Sequence, residues 1–361
     1  MGVTANVCCC RNDKNLGVMQ LNLPIINENS VSMDYFFNFI PENINKRMEN
    51  ENFQSQNKGE IKTERVEIDK NLNLDLENSI REILYHGEFS ENGKKDGKGK
   101  MIIIKEKEKV FFYGLWENDD LKKGNIYYED GAYYSGEIKN YLRHGKGKYI
   151  SDNETYDGYW KENQKNGYGL LIFSDETKYD GNFKNNQFYG NGKIVWKNGC
   201  LYEGEFSNNL FHGKGFLRGN NQHTYKGDFK NGKYHGKGIF KWIDLDTTEY
   251  YDGNYSNGKR DGKGEYHLSN GHIFNGSWKS GEPDGEGIYE TENRKYIGNW
   301  RAGIFLQIIE VEEKEAQEEN FNLTFPTKEE DISIPTHIST SLNTDSSINF
   351  YNAPYYITYL K

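Results

Sequence analysis

Residues 202–238 read YEGEFSNNLFHGKGFLRGNNQHTYKGDFKNGKYHGKG, and this stretch contains one phrase twice, 23 residues apart. The phrase is aromatic-x-Gly-x-aromatic, followed a few residues later by a polar residue and Gly-x-Gly. Outward from this stretch it returns about every 22–23 residues in both directions. The central glycine of its first half stands at positions 87, 114, 136, 158, 181, 204, 227, 253, 276 and 298. This recurrence predicts a tandem array of about ten units between Tyr85 and Trp300.

The first half of the phrase has the alternation of a β-strand. Residues i, i+2 and i+4 of a strand face the same way, so Tyr156, Gly158 and Trp160 share one face. The glycine leaves a gap between two rings, which we expect a ring from the neighbouring hairpin to fill. The Gly-x-Gly unit, such as Gly145 and Gly147, permits positive φ or close backbone approach where the chain reverses. Each unit is therefore predicted to be one β-hairpin.

A single hairpin is barely stable in water, so the units must stack edge to edge. The predicted fold class is all-β, an elongated single-layer antiparallel sheet of tandem hairpins. With strands about 4.8 Å apart, ten hairpins would form a ribbon on the order of 100 Å long. Open ends of such a ribbon need caps. We expect a short helix over Asp75–Leu84 at the entry and a final strand or cap over Ile304–Val311 at the exit.

Composition and charge agree with this fold and exclude other classes. Only 35% of residues are hydrophobic, whereas Gly (39), Tyr (27) and Phe (20) are abundant, which favours rings packed on glycines. Residues 85–301 carry 33 basic and 32 acidic side chains, so the flanking segments hold the net charge of −10. Without a basic face, we expect no nucleic-acid binding. We also expect no bilayer span and no secretory signal, because no sufficiently long apolar stretch occurs.

The sequence gives no positive sign of catalytic chemistry. His144, His212 and His235 recur before Gly-x-Gly, but other repeats place Asp, Asn or Tyr in that slot, so the slot is predicted to be structural. The Gly-x-Gly units lack the third glycine and the flanking strand and helix of a dinucleotide fingerprint. We therefore predict no catalytic residue, no metal site and no cofactor.

The N-terminus has the pattern of a lipid anchor. Gly2 follows the initiator Met as in a myristoylation signal, although Asn6 stands where Ser or Thr is preferred. Cys8, Cys9 and Cys10 look like a palmitoylation cluster, and two acyl signals together hold a protein stably at a membrane. We therefore predict myristate on Gly2 and palmitate on the cysteines. The alternatives are an unmodified N-terminus and, least favoured, a metal site.

The repeated phrase resembles the MORN repeat, whose consensus runs Y-x-G-x-W-x-x-G-x-x-H-G-x-G, over about 215 of the 361 residues. The second copy lacks the closing Gly-x-Gly, and Phe or Tyr often replaces Trp. The resemblance implies an elongated β-sheet rod that scaffolds protein complexes near membranes or the cytoskeleton, often as a homodimer. Phosphoinositide binding by the repeats is a weaker implication of the family.

A single-layer sheet cannot cover both of its faces with its own side chains. A groove lined by rings such as Tyr159, Tyr168 and Phe188 would suit a helix or strand of a partner protein. The alternative is that most of these rings belong to the core.

The chain divides by composition into five regions. Residues 1–14 are the predicted anchor, 15–74 a flexible polar linker, 75–84 the N-terminal cap, 85–301 the array, and 302–361 a cap strand with a flexible acidic and Ser/Thr-rich tail. Within the linker, the apolar island Tyr35–Ile40 (YFFNFI) is expected to dock onto the array or onto a partner.

The function predicted from these features is that of a non-catalytic, membrane-tethered scaffold or adaptor. It would recruit or space protein partners at a cytoplasmic membrane face or at the cortical cytoskeleton. The alternative is a phosphoinositide-binding module or a regulatory subunit of an enzyme complex. We expect a location at the plasma membrane or an inner membrane system, in association with the cytoskeleton or a cilium.

Overall fold

The computed structural model describes residues 60–65, 80–106, 108–219, 223–244 and 247–313. These residues form 21 strands and no helix. Each strand pairs antiparallel with the next one in sequence, so the described part of the chain is one open single-layer sheet. The strands are β1 Glu60–Arg65, β2 Ile80–Phe89, β3 Lys95–Lys105, β4 Lys109–Glu117, β5 Asp120–Tyr128, β6 Tyr133–Lys139, β7 Leu142–Ile150, β8 Glu154–Lys161, β9 Gln164–Phe173, β10 Lys178–Lys184, β11 Gln187–Val195, β12 Leu201–Ser207, β13 Leu210–Arg218, β14 Thr224–Lys230, β15 Lys233–Asp244, β16 Thr247–Ser256, β17 Lys259–His267, β18 Ile273–Lys279, β19 Glu282–Glu290, β20 Arg294–Arg301 and β21 Ile304–Glu313.

Strands β2 to β21 form ten consecutive hairpins, one for each predicted unit, and this confirms the fold class. The final strand predicted at the exit is also present as β21. The helix predicted over Asp75–Leu84 is wrong for its described part, because Ile80–Leu84 begin strand β2. Leu84 pairs with Arg65 on one side and Ile102 on the other, so a strand on each edge overrides the helical spacing. The linker prediction is likewise wrong for Glu60–Arg65, which form β1.

Nine of the ten hairpins, all except β2–β3, reverse at two-residue turns whose residues both lie in the left-handed region. In the β12–β13 hairpin these are Asn208 (φ 50°) and Asn209 (φ 64°), the geometry that matches the twist of two antiparallel strands. The first glycine of Gly-x-Gly also has positive φ, 54° at Gly213, but it lies beyond the turn. There it forms a β-bulge, where the register shifts between Gly204 and Glu205 on the partner strand. The expectation that Gly-x-Gly lies at the reversal is therefore wrong, because the chain has already turned before it.

The bulges align the remaining glycines across the sheet. Gly204 stands opposite Gly192 of the preceding hairpin and opposite Gly215 of its own. The same register continues without a break, so one row of nineteen glycines crosses the sheet, one from each strand from β2 to β20. A groove of bare backbone therefore runs along one face of the ribbon.

Tyrosine rings of the repeats lie in this glycine row. A Cβ built on Gly158 would meet the Tyr156 Oη at 2.5 Å, and one built on Gly169 would meet the Cε2 of the same ring at 2.5 Å. The Tyr156 hydroxyl donates a hydrogen bond to the Tyr159 carbonyl oxygen at 2.9 Å. The expectation that a neighbouring hairpin fills the gap is therefore wrong, because the tyrosine of the same strand lies over both glycines.

Rings of successive hairpins meet edge to face above this layer. Phe183 packs against Tyr156 of the preceding hairpin at a centroid distance of 5.1 Å, and Phe206 packs against Tyr179 at 5.2 Å. Such geometry is favoured by the ring quadrupoles. We call the face that carries these rings the ring face and the other the back face. The ring face is the core of the molecule, because its rings form the main cluster of buried side chains.

Candidate interaction surfaces

The ring face is closed by its own side chains. The ring ladder consists of the buried tyrosines Tyr85, Tyr134, Tyr156, Tyr179, Tyr202, Tyr225 and Tyr251. Each hydroxyl of the ladder donates to the carbonyl oxygen three residues further on, at 2.7–3.2 Å. Burial raises the pKa of the six ladder tyrosines from Tyr134 to Tyr251 well above its ordinary value. These phenols therefore stay protonated and structural at neutral pH.

One position on each second strand completes this face, and sequence reasoning missed it. It lies opposite the second ring of the phrase and covers the ladder tyrosine. In three hairpins a ring stacks there, as Phe211 does on Tyr202 at 3.8 Å and 11°. In others a cation does so: Arg260 lies 4.5 Å from the Trp278 ring centroid and 5.7 Å from that of Tyr251. A ring and a desolvated cation both complement an aromatic face, so either can serve at this position.

Phe188 occupies this covering position, and its predicted role in a partner groove is wrong. It is 2% exposed and stacks on Tyr179 at 3.8 Å. Tyr159 and Tyr168 lie on the back face and are 50% and 54% exposed. The Tyr168 hydroxyl hydrogen-bonds the Asp180 carboxylate. The three residues therefore do not line one groove, although two of them are accessible.

The histidine slot has a structural role in this geometry. Its backbone carbonyl accepts from the ladder tyrosine, as the His144 oxygen does from Tyr134 Oη at 3.1 Å. The contact uses the main chain, which any residue can supply. It is present in the three hairpins whose slot holds His144, His212 or His235, and it does not involve the imidazole.

The turns along one edge of the ribbon are joined to each other. The Phe188 amide donates to Asn209 Oδ1 at 2.7 Å, and the Asn209 amide donates back to the Phe188 carbonyl oxygen at 3.2 Å. The Lys165–Asn186 pair repeats both bonds. In the next hairpin Gly232 keeps only the backbone bond, to the Phe211 oxygen at 2.9 Å. Each of these turns is therefore hydrogen-bonded to the hairpin before it.

The back face carries lysines paired with acids across neighbouring strands. Lys193 lies 3.1 Å from Glu203, and Lys214 lies 2.9 Å from Asp228. The Lys214 ammonium lowers the pKa of the Asp228 carboxyl by hydrogen bonding to it. In these pairs each lysine lies against an acid, which offsets its attraction to anionic lipid.

The last strand is an exposed apolar edge. Ile304, Leu306 and Ile308 of β21 are 65%, 58% and 48% exposed, and Ile309 and Val311 are 56% and 42% exposed. Among the described residues β21 pairs only with β20, so its outer backbone groups face away from the sheet. An open edge strand with apolar side chains is a template for another strand.

The predicted anchor residues Gly2, Cys8, Cys9 and Cys10 lie outside the described residues. In the part of the chain that the structure describes, no helix is long and apolar enough to cross a bilayer. The same residues hold no group of three His, Cys, Asp or Glu side chains positioned for a metal ion.

The repeat geometry agrees with a known sequence family. The family model described as MORN repeat matches residues 85–103, 134–155, 156–178, 179–201, 202–224, 225–247, 251–273 and 274–293. The chain belongs to the MORN-repeat family. Each matched MORN segment contains one hairpin or the larger part of one. The hairpins β4–β5 and β20–β21 lie outside the matches, yet their glycines Gly114, Gly124 and Gly298 continue the same row.

MORN repeats are generally scaffold motifs that bind proteins or membranes, and this all-β fold is typical of non-catalytic scaffolds. No curated protein matches the chain.

Proposed function

We propose that this MORN-repeat chain is a non-catalytic scaffold, tethered to the cytoplasmic face of a membrane, that recruits protein partners through the open edge at β21. The observation that carries the proposal is the exposure of the apolar side chains of β21 on an edge strand. The ring face favours this assignment, because the ladder hydroxyls and the covering rings and cations described above are engaged in packing.

Strand addition is the mode of binding that this edge favours. A partner strand gains hydrogen bonds from the outer backbone groups of β21, and its side chains pack against Ile304, Leu306 and Ile308. Apolar side chains that are half exposed on an unpaired edge otherwise promote aggregation, so covering them by a partner also stabilises the molecule. A second copy of this chain is one occupant of the required chemistry, and a homodimer is therefore part of the proposal.

Membrane attachment rests on the N-terminal sequence. Myristate on Gly2 alone would bind a membrane only marginally, with an association constant of about 10⁴ M⁻¹, so palmitate on Cys8, Cys9 or Cys10 is required for a stable anchor. The paired charges of the back face argue against the alternative, in which the repeats bind phosphoinositides directly. They favour the acyl chains as the source of membrane affinity.

Substitutions on β21 test the recruiting edge. We expect the triple variant I304T/L306T/I308T to lose most neighbours found by proximity labelling in the native cell, with unchanged far-ultraviolet circular dichroism. Threonine keeps the β-propensity of the strand while removing its apolar surface. The matched control is I288T, since Ile288 is 40% exposed within the sheet rather than on its edge.

An unchanged set of labelled neighbours in the triple variant would refute the edge as the recruiting surface. Light scattering distinguishes a second copy of this chain from a different partner protein as the occupant of the edge. Conversion of a dimer to a monomer by the triple variant identifies the occupant as a second copy.

Substitutions in the first ten residues test the anchor. We expect Gly2→Ala combined with serine at Cys8, Cys9 and Cys10 to move the protein from the membrane fraction to the soluble fraction. Incorporation of alkyne-labelled myristate and palmitate should be lost in the same variant. If the variant stays on membranes and binds vesicles containing phosphoinositides, the repeats supply the affinity and the anchor is wrong.

A further inference from the structure

A second apolar cluster lies on the back face, near the N-terminal end of the ribbon. The back-face patch consists of the buried residues Ile102, Phe111 and Tyr127, with Tyr113 and Tyr133 packed beside them. Register places Ile102 opposite Phe111, Phe111 opposite Tyr127, and Tyr127 opposite Tyr133, so the patch is a continuous cross-strand row. It points away from the ring face and does not belong to the core described above.

The burial of the patch is too complete for an open face. Ile102, Phe111 and Tyr127 are 3%, 2% and 1% exposed. The same cross-strand row continues from Tyr133 to Ile150, which is 38% exposed. Leu84 of β2, opposite Ile102, is also only 1% exposed. Burial on the back face is therefore concentrated on β2 to β5, while the same row a few strands on meets solvent.

Neighbours within the row cannot account for this burial. Cross-strand partners flank a side chain at about 5 Å, but in a single-layer sheet nothing in the sheet lies above it. The strands described here pair edge to edge, and none is stacked on another. Exposures of a few per cent therefore require a second layer over the patch.

The patch also has a polar requirement. Asn125 lies between the patch rings, is 0% exposed, and donates through Nδ2 to the Tyr127 hydroxyl at 3.3 Å. Its Oδ1 is buried without a hydrogen-bond partner. A buried acceptor of this kind favours a covering segment that brings an N–H donor into an otherwise apolar contact.

We propose that the segment Tyr35–Ile40 (YFFNFI) of this same chain packs on the back-face patch as its second layer. Five of its six residues are aromatic or apolar, and it is the densest aromatic run outside the described ranges. Its one polar residue, Asn38, has a side-chain NH₂ group, which is a donor suited to the Asn125 Oδ1 acceptor. The proposal is independent of membrane anchoring.

The length of the connecting chain favours this occupant. Residues 41–59 join the segment to β1, and β1 is bonded to β2, which is bonded to Ile102 of β3. These 19 residues span up to about 60 Å when extended, whereas β1 and the patch are only two to four strand spacings apart, about 10–20 Å. The aromatic tail beyond residue 350 starts from β21, about 70 Å or more along the ribbon, and would lose far more loop entropy.

Hydrogen exchange of the full-length protein tests the proposal. We expect amides of residues 35–40 and of β3–β5 to be protected in the wild type. In F36S/F39S we expect exchange at residues 35–40 to accelerate about tenfold or more, since burial of one phenylalanine alone corresponds to at least that factor. The variant should also bind the dye ANS, with unchanged far-ultraviolet circular dichroism, because the ring face holds the sheet together.

The matched control is Y355S/Y356S in the aromatic tail, which should leave exchange and dye binding as in the wild type. A second control, L72S/L74S, lies in the shorter segment between β1 and β2, whose apolar residues are dispersed. The proposal is refuted if residues 35–40 exchange at the unprotected rate in the wild type. It is equally refuted if F36S/F39S binds no more ANS than the wild type, or if L72S/L74S alone binds ANS as strongly as F36S/F39S does.

Discussion

The fit between the ladder tyrosines and the glycine row leads to a quantitative test in the β12–β13 hairpin. A Cβ on Gly215 would meet Tyr202 at its Oη (2.5 Å), Cε2 (2.6 Å) and Cζ (2.7 Å). The backbone of Gly215 is outside the left-handed region, and the three atoms nearest to the added methyl group all belong to the Tyr202 ring. Gly215→Ala should therefore cost about 1–3 kcal/mol, the usual range for an overpacked core.

Removal of the ring should relieve that conflict. Tyr202→Ala alone should cost about 3–5 kcal/mol, because it empties a fully buried site. In the double variant the new methyl group enters space that the ring has left, so the total should stay near that of Tyr202→Ala. The two changes are therefore expected to couple by about 1–3 kcal/mol in the favourable direction.

Urea unfolding of the four proteins, with hydrogen exchange of β12 and β13 as a local readout, measures this coupling. The local readout matters because a repeat array does not unfold as one unit. Gly199→Ala is the control: nothing lies within 4 Å of its Cβ position, and its φ of +85° gives a purely backbone cost. That cost should add to the cost of Tyr202→Ala. Additivity of Gly215→Ala and Tyr202→Ala within about 0.5 kcal/mol would refute the ring–glycine fit.

Three further predictions follow from other contacts. Burial raises the pKa of the ladder tyrosines above the unfolded value of 10.0, so their contribution to stability is complete below pH 10 and is lost as the pH rises further. In an alkaline titration, phenolate absorbance should therefore appear together with loss of β-structure. Ionisation of the ladder tyrosines without unfolding would contradict this. Asn209→Gly should lower the free energy of unfolding by about 1 kcal/mol, because it removes the side-chain hydrogen bond. Asn209→Ala should lower it by about 1–2 kcal/mol more, because alanine disfavours the left-handed backbone of the turn. Equal losses in thermal unfolding would contradict the role of the turn. Arg260→Tyr should keep the thermal stability near that of the wild type, because rings cover the equivalent site in other hairpins. Arg260→Ala should lower the free energy of unfolding by about 2 kcal/mol. Equal losses in the two variants would show that the positive charge itself is required.

Much of the fold could be predicted from the sequence, because each unit repeats both its strand alternation and its turn residues. The period alone defines ten hairpins. The order of strands follows from it, since each hairpin must find its partner in the next. The final strand from Ile304 was predictable for the same reason, as β20 needs a second strand.

Other features depended on contacts that the period does not encode. Ile80, Ile83 and Leu84 fit a helical face as well as a strand, and only pairing to β1 and β3 decides between them. Nothing in the sequence around Phe188 distinguishes it from an exposed ring. Its position opposite Phe183 places it against Tyr179, on which it stacks.

The back-face patch also corresponds to a local sequence pattern. The run Met101–Ile104 and the pair Phe111–Phe112 are consecutive apolar residues rather than alternating ones. Such runs indicate strands that are buried on both faces. The amino-acid sequence alone therefore contains a signal for a second layer over β3 and β4, which the repeat period does not show.

The division of contacts within the ribbon has an evolutionary consequence. Tyrosine and glycine interlock inside one hairpin, whereas the hydrogen-bonded turns and edge-to-face rings join one hairpin to the next in the same way each time. Duplication or deletion of one whole unit of DNA would therefore rejoin compatible surfaces. Each such event would change the distance between the two ends of the ribbon by about 10 Å. The length of a MORN ribbon can therefore evolve in steps of one hairpin.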